Sequence, residues 1–149
     1  GGLGRSNRTA VAILSPIAVV GMAAVFFFAR DLNALALGEE GAFHVGVNPD
    51  TLTRWLLGLT TVLTASAVAM AGTIGFIGLV IPHVMRLLVG PDHRRLIPVS
   101  ALAGACFLVG SDMVARTILA PAELPVGIIT AFVGAPFFLY LLKTRRANL

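Results

Sequence analysis

Asp112 and Arg116 are the only charged residues between Ile97 and Leu119, and they stand four positions apart. An acid followed by a base at that spacing forms an ion pair on one helix face. Charge inside an apolar run is expensive in lipid, so such residues are functional candidates. At 1.5 Å per residue, Asp112 lies about 22 Å along a helix from Ile97. Both groups should therefore reach the far surface of a membrane, where the plainer reading is a local ion pair. The other reactive side chains form no catalytic set. His44, His83 and His93 share no i, i+4 spacing and have no cysteine pair nearby, so no metal site is expected. Cys106 is the single cysteine and makes no internal disulfide. Lys143 is the only lysine, and no glycine-rich loop precedes it, so there is no P-loop. Paired carboxylates, a Ser/His/Asp set and a dinucleotide turn are all missing. The chain is expected to be neither an enzyme nor the holder of a cofactor.

The elements that must position these residues are membrane helices. Apolar residues make up 57% of the chain and charged residues 12%, against about 25% charged in soluble domains. With a mean hydropathy of +0.92, too little polar surface is left to cover a water-soluble core. The net charge of +4 is not a nucleic-acid footprint, because the basic residues flank apolar spans rather than forming one patch. Continuous apolar runs exclude barrel strands, which alternate with a period of two. The class is all-α integral membrane. Five apolar stretches are expected to span, over residues 9–29, 52–71, 73–89, 97–119 and 125–142. No internal repeat or second domain is visible. The sequence begins Gly1-Gly2-Leu3, without a methionine and with no signal-peptide pattern after it, so it is expected to be a piece of a longer chain.

Glycine and proline punctuate the spans. Gly72, Gly75 and Gly78 would let neighbouring backbones approach closely. Pro82 removes the helical partner of the Gly78 carbonyl and should kink the third span, which must then be buried among other helices. His83 is expected to serve a freed carbonyl rather than a ligand. Gly134-Ala135-Pro136 breaks the last span in the same way, and Thr130 with Gly134 makes a small packing face. Pro125 suits the first turn of the last helix, and Glu123 just before it favours that helix start.

Residues 30–50 form the longest polar stretch. Leu32, Leu35 and Ala36 repeat at helical spacing, and Gly38 is a helix stop. Glu39 and Glu40 suit the first turn of a second short helix, where carboxylates meet the positive end of the dipole. Gly46 ends that helix, and Asn48-Pro49-Asp50 turns into the next span. Two short helices at the membrane face are expected, either packed on their own protein or showing leucines and acids to a partner. Arg86, Asp92, Arg94 and Arg95 form a second polar patch, explained first by topology and contact with lipid headgroups, with contact to a partner subunit as the weaker alternative. With the C-terminus in the cytoplasm, Arg30, Arg54, Arg86, Arg94, Arg95, Lys143, Arg145 and Arg146 lie inside, and Arg5, Arg8 and Arg116 outside. That bias follows the positive-inside rule.

GFIGLVIPHVMRLLVGPDHRRL (Gly75–Leu96), with LALGEEGA (Leu35–Ala42) before it and APAELPVGIITAFVGAPFFLYLL (Ala120–Leu142) after it, resembles the FecCD/BtuC-type permeases of bacterial ATP-binding-cassette importers. That family carries iron-siderophores, heme or vitamin B12. The resemblance covers nearly the whole chain and corresponds to the C-terminal half of a ten-helix permease domain in the bacterial inner membrane. It implies a coupling role at an ATP-binding subunit for Leu35, Leu37, Gly38, Glu39, Glu40 and Ala42. It also implies docking of a periplasmic or lipid-anchored substrate-binding protein at Arg116 and Glu123, with a structural turn as the alternative for Glu123. A second permease subunit completes the core, and ATP and Mg are used by the partner subunit. Gly75, Gly78, Pro82, Gly134 and Pro136 are read as kink and packing positions. Iron-siderophores lead as cargo, with heme and cobalamin next. A secondary transporter would need acid–base relays at mid-depth, and none is evident. A non-transporting scaffold would not need the Leu35–Ala42 motif.

Overall fold

The computed structural model describes residues 8–118 and 124–147, and the described residues are helical without a strand. Seven helices follow one another: α1 (Arg8–Phe27), α2 (Ala29–Leu35), α3 (Glu39–His44), α4 (Pro49–Ala71), α5 (Ile77–Val89), α6 (His93–Ile118) and α7 (Val126–Ala147). Four of them, α1, α4, α6 and α7, are long and apolar enough to cross a membrane.

Local chemistry sets several of the boundaries. Asn48 caps α4, its side chain accepting the Thr51 N–H at 3.2 Å, with Pro49 in the first turn. Asp92 caps α6: its carboxylate accepts the Arg94 N–H at 3.0 Å and its carbonyl accepts the Leu96 N–H at 2.9 Å. The polar run His93–Arg95 is therefore the first turn of α6 rather than a loop, and α6 begins ahead of the expected Ile97. An orphaned set of N–H groups at a helix start makes such a turn tolerant of polar neighbours.

The third expected span needs correction. Residues 73–89 are not one helix: residues 72–75 are non-helical and α5 covers 13 residues, or about 20 Å against the roughly 30 Å of a bilayer core. The cause is at Phe76, which sits in the left-handed region at φ 66. That conformation stops a right-handed helix from running back past it. Pro82 lies inside α5 and Pro136 inside α7.

The helices pack α1 on α4, α5 on α6, and α7 on both α5 and α6, while α2 lies on α6. Small residues make the closest approaches. A Cβ at Gly21 of α1 would collide with Leu63 of α4, and one at Gly134 of α7 would collide with Phe76. The close approach expected at Gly75 and Gly78 is not found: a Cβ at either would meet nothing within 4 Å among the described residues. Those two glycines face open space, and the intimate contact falls to Gly134 instead. The buried core among the described residues is thin: Ala29, Ala42, Leu52, Val80, Ile81, Leu96, Ala115 and Val126, with the polar Ser111 and Thr130. Large apolar side chains such as Val19, Trp55 and Phe132 point outward. Outward apolar faces on long helices suit lipid or further membrane helices.

Candidate functional site

One end of the bundle carries the α2–α3 hairpin. Its turn depends on Gly38, with φ 99 and ψ 163, a backbone region that side chains avoid. The Gly38 carbonyl accepts the Ala42 N–H at 3.0 Å, which starts α3. Glu39 and Glu40 fall in its first turn, exposed, at the positive end of the dipole. Leu37 is 77% exposed, whereas Leu35 is half-buried and Ala42 is fully buried. The six hairpin residues singled out in the sequence therefore divide. Leu37, Glu39 and Glu40 form an outer surface, Gly38 shapes it, and Leu35 and Ala42 anchor it to the protein. Phe43 and Val45 are 58% and 63% exposed and join the outer surface. Sequence reasoning passed over them, although Phe43 lies four residues from Glu39 and so on the same helical face.

The hairpin is tied to the membrane helices through Asn33 of α2. Asn33 Nδ2 donates to Asp92 Oδ1 at 2.7 Å, and Asn33 Oδ1 accepts the His93 backbone N–H at 2.8 Å. The same oxygen lies 2.7 Å from His93 Nδ1, which must carry the proton because an amide oxygen only accepts. The Asp92 carboxyl is held below its ordinary value, first by the Asn33 hydrogen bond, then by the Arg94 N–H, with Arg94 and Arg95 adding positive charge.

At the other end of α6, about 35 Å from His93 by helical rise, Arg116 Nε donates to Asp112 Oδ2 at 2.8 Å. Arg116 is 42% exposed and Asp112 19%. The Leu124 N–H reaches the Ala115 carbonyl at 3.4 Å, which holds the start of α7 beside this pair. Glu123 lies outside the described residues.

Between the two ends, the non-helical stretch 72–76 runs over α7. The Thr73 carbonyl oxygen lies 3.5 Å from where a Gly127 Cβ would be, and Phe76 lies on Gly134. Thr130, on the same face between them, is 1% exposed and donates to the Gly127 carbonyl at 3.1 Å. His83 meets Phe137 of α7 edge to face, with centroids 5.9 Å apart. Among the described residues no three His, Cys, Asp or Glu side chains come together in a way that would hold a metal ion.

Long apolar helices, a short broken helix among them and a polar hairpin at one end define a multi-pass membrane protein. The chain belongs to the FecCD transport family, which it matches over residues 1–144. It is 56% identical over 133 residues to the cobalamin import system permease protein BtuC of Halobacterium salinarum, covering 89% of this chain and 36% of that one. It is 44% identical over 146 residues to the hemin transport system permease protein HmuU of Yersinia pestis, covering 98% and 44%. It is also 47% identical over 136 residues to the ferric dicitrate permease protein FecD of Escherichia coli, covering 91% and 43%. A metal-chelate type ABC transporter solved in an inward-facing conformation superposes with a TM-score of 0.88 at 35% identity, over 97% of this chain and 46% of that one. The chain thus spans less than half the length of these relatives.

Proposed function

We propose that this chain is part of the membrane-spanning permease subunit of an ATP-driven importer of metal chelates, its C-terminal half by resemblance. The observation that carries the reading is the α2–α3 hairpin, which offers Leu37, Glu39, Glu40, Phe43 and Val45 at one end of the bundle while Leu35 and Ala42 anchor it. An exposed apolar patch with an acidic rim suits a docking partner. The partner is the ATP-binding subunit, which binds and hydrolyses ATP with Mg and moves the hairpin. The hairpin end and the C-terminus are cytoplasmic. Five crossings follow, with α5 completing its crossing through the non-helical residues 72–76. Such backbone is tolerated at depth only when it is covered by protein; α7 lies against one side of it, at Thr73 and Phe76, and the rest of the permease covers the side left exposed. A second permease subunit completes the path, and a substrate-binding protein docks at the outer end, near Arg116 and Glu123.

Ferric siderophore is the leading cargo. Cobalamin is the second reading, favoured by the 56% identity to a cobalamin permease. Uptake of labelled ferric siderophore and labelled cobalamin, by cells with and without the full-length gene, separates them. Loss of ferric uptake alone supports the first and loss of cobalamin uptake alone the second. Glu39→Lys combined with Glu40→Lys tests the hairpin: the ATP-binding subunit should no longer co-purify. Normal assembly and transport in that double variant would remove the hairpin as the coupling site.

A further inference from the structure

The junction between α2 and α6 has a property that neither helix explains alone. α2 has 7 residues, too few to be stable by itself, so its position is dictated by what holds it. Asn33 provides that hold with both ends of one amide: Nδ2 on the Asp92 carboxylate, Oδ1 on the His93 N–H and the His93 ring. The His93 N–H is one of the donors at a helix start that its own helix cannot satisfy, so Asn33 caps α6 from a different helix. Among the described residues, no other side-chain hydrogen bond or ion pair joins residues 29–46 to a membrane helix. The remaining contacts of the hairpin with α1, α4 and α6 are packing. Apolar packing is non-directional and tolerates sliding, whereas hydrogen bonds lose strength steeply once bent or stretched.

We propose that Asn33 is the positioning residue through which movement of the hairpin is passed to α6. α6 runs for 26 residues with Pro98 inside it, so displacement of its first turn is passed through the kink point that this proline makes toward the Asp112–Arg116 end. Asn33 touches neither ATP nor substrate. Its effect is on how tightly hydrolysis is linked to transport. This inference rests on the importer reading above.

Charge exchange across the pair tests it. In Asn33→Asp two carboxylates face each other where the 2.7 Å bond stood, and the latch opens. In Asn33→Asp with Asp92→Asn, the amide now at position 92 donates to the carboxylate now at position 33. His93 keeps its acceptor, and the side chain at position 92 still caps α6, since an amide oxygen caps as well as a carboxylate. The full-length permease, assembled with its ATP-binding subunit in proteoliposomes, is assayed for ATP hydrolysis and for uptake of the ferric siderophore or cobalamin identified in cells. Asn33→Asp and Asn33→Ala should assemble and hydrolyse ATP, but carry at least roughly tenfold less substrate per ATP, the scale of losing a charge-assisted bond. The exchanged pair should recover most of the ratio. An unchanged ratio in both single variants overturns the proposal, as does failure of Asp92→Asn to restore Asn33→Asp. Loss of assembly in both single variants also overturns it, because Asn33 would then matter only for folding. The importer reading fails separately, by unchanged uptake of both labelled cargoes in cells that lack the full-length gene.

Discussion

Phe76 holds a left-handed backbone, φ 66, with its Cβ directly against Gly134 of α7. A non-glycine residue held there costs about 1–2 kcal/mol, and the contact leaves no room for a methyl group at position 134. Gly134→Ala should therefore destabilise the full-length permease by about 1–3 kcal/mol, the usual cost of overpacking. Phe76→Gly relieves both the clash and the backbone strain, so the double variant should melt above Gly134→Ala alone. Thermal unfolding in detergent reads both. Equal melting of Gly134→Ala and wild type would remove the contact from the account.

Gly21→Ala should cost less than Gly134→Ala. The atoms in its way are the branched end of the Leu63 side chain, which can rotate aside, whereas the Phe76 Cβ is fixed to the backbone. The same melting series ranks the two, and the reverse order would contradict this account.

Asn48→Ala removes the side-chain acceptor of the Thr51 N–H at the start of α4. A cap of this type contributes about 1 kcal/mol. Asn48→Asp should retain most of it, since a carboxylate accepts the same bond and suits the helix dipole. Melting of the two variants side by side checks the order.

Arg116→Glu places a second acid one turn from Asp112 and removes the 2.8 Å ion pair. If the Asp112–Arg116 end of α6 receives a binding protein through complementary charge, affinity should fall roughly tenfold at low salt, and the gap should narrow above about 0.1 M salt, where the Debye length shrinks to about 10 Å. Binding measured at two ionic strengths decides it. Unchanged low-salt affinity reduces the pair to a local structural role.

Asp92 sets a pH dependence with a definite sign. Its folded pKa is lowered from 3.8, so its contribution to stability is fully present above that value and is lost as pH falls through the folded value. Relative to Asp92→Asn, wild type should lose ground as pH falls below about pH 4. A difference that already declines near neutral pH would show that Asp92 is not held as the Asn33 bond implies.

Much of the hairpin was legible from local chemistry. Gly38, the paired acids after it and Asn48-Pro49 each act within a few residues, so their effects survive without tertiary context. The broken third span was not legible. A left-handed phenylalanine has no sequence signature, and only contact with Gly134 explains why the chain accepts it. Phe43 and Val45 were missed for a related reason: alternation of exposed and buried positions in a helix of 6 residues is too short for periodicity to resolve.

Composition alone determined that the chain is helical and membrane-embedded, because an apolar excess of this size leaves neither a polar shell nor a two-residue alternation. The motifs in order were enough to place it in its family. Tertiary structure alone decided which small residues carry close packing, Gly134 and Gly21 rather than Gly75 and Gly78. It also decided that Asn33 would meet Asp92 and His93, 59 and 60 positions away. A side-chain amide of ordinary type carries no mark of its partner. Its role is set by which helix end the fold brings within hydrogen-bond reach.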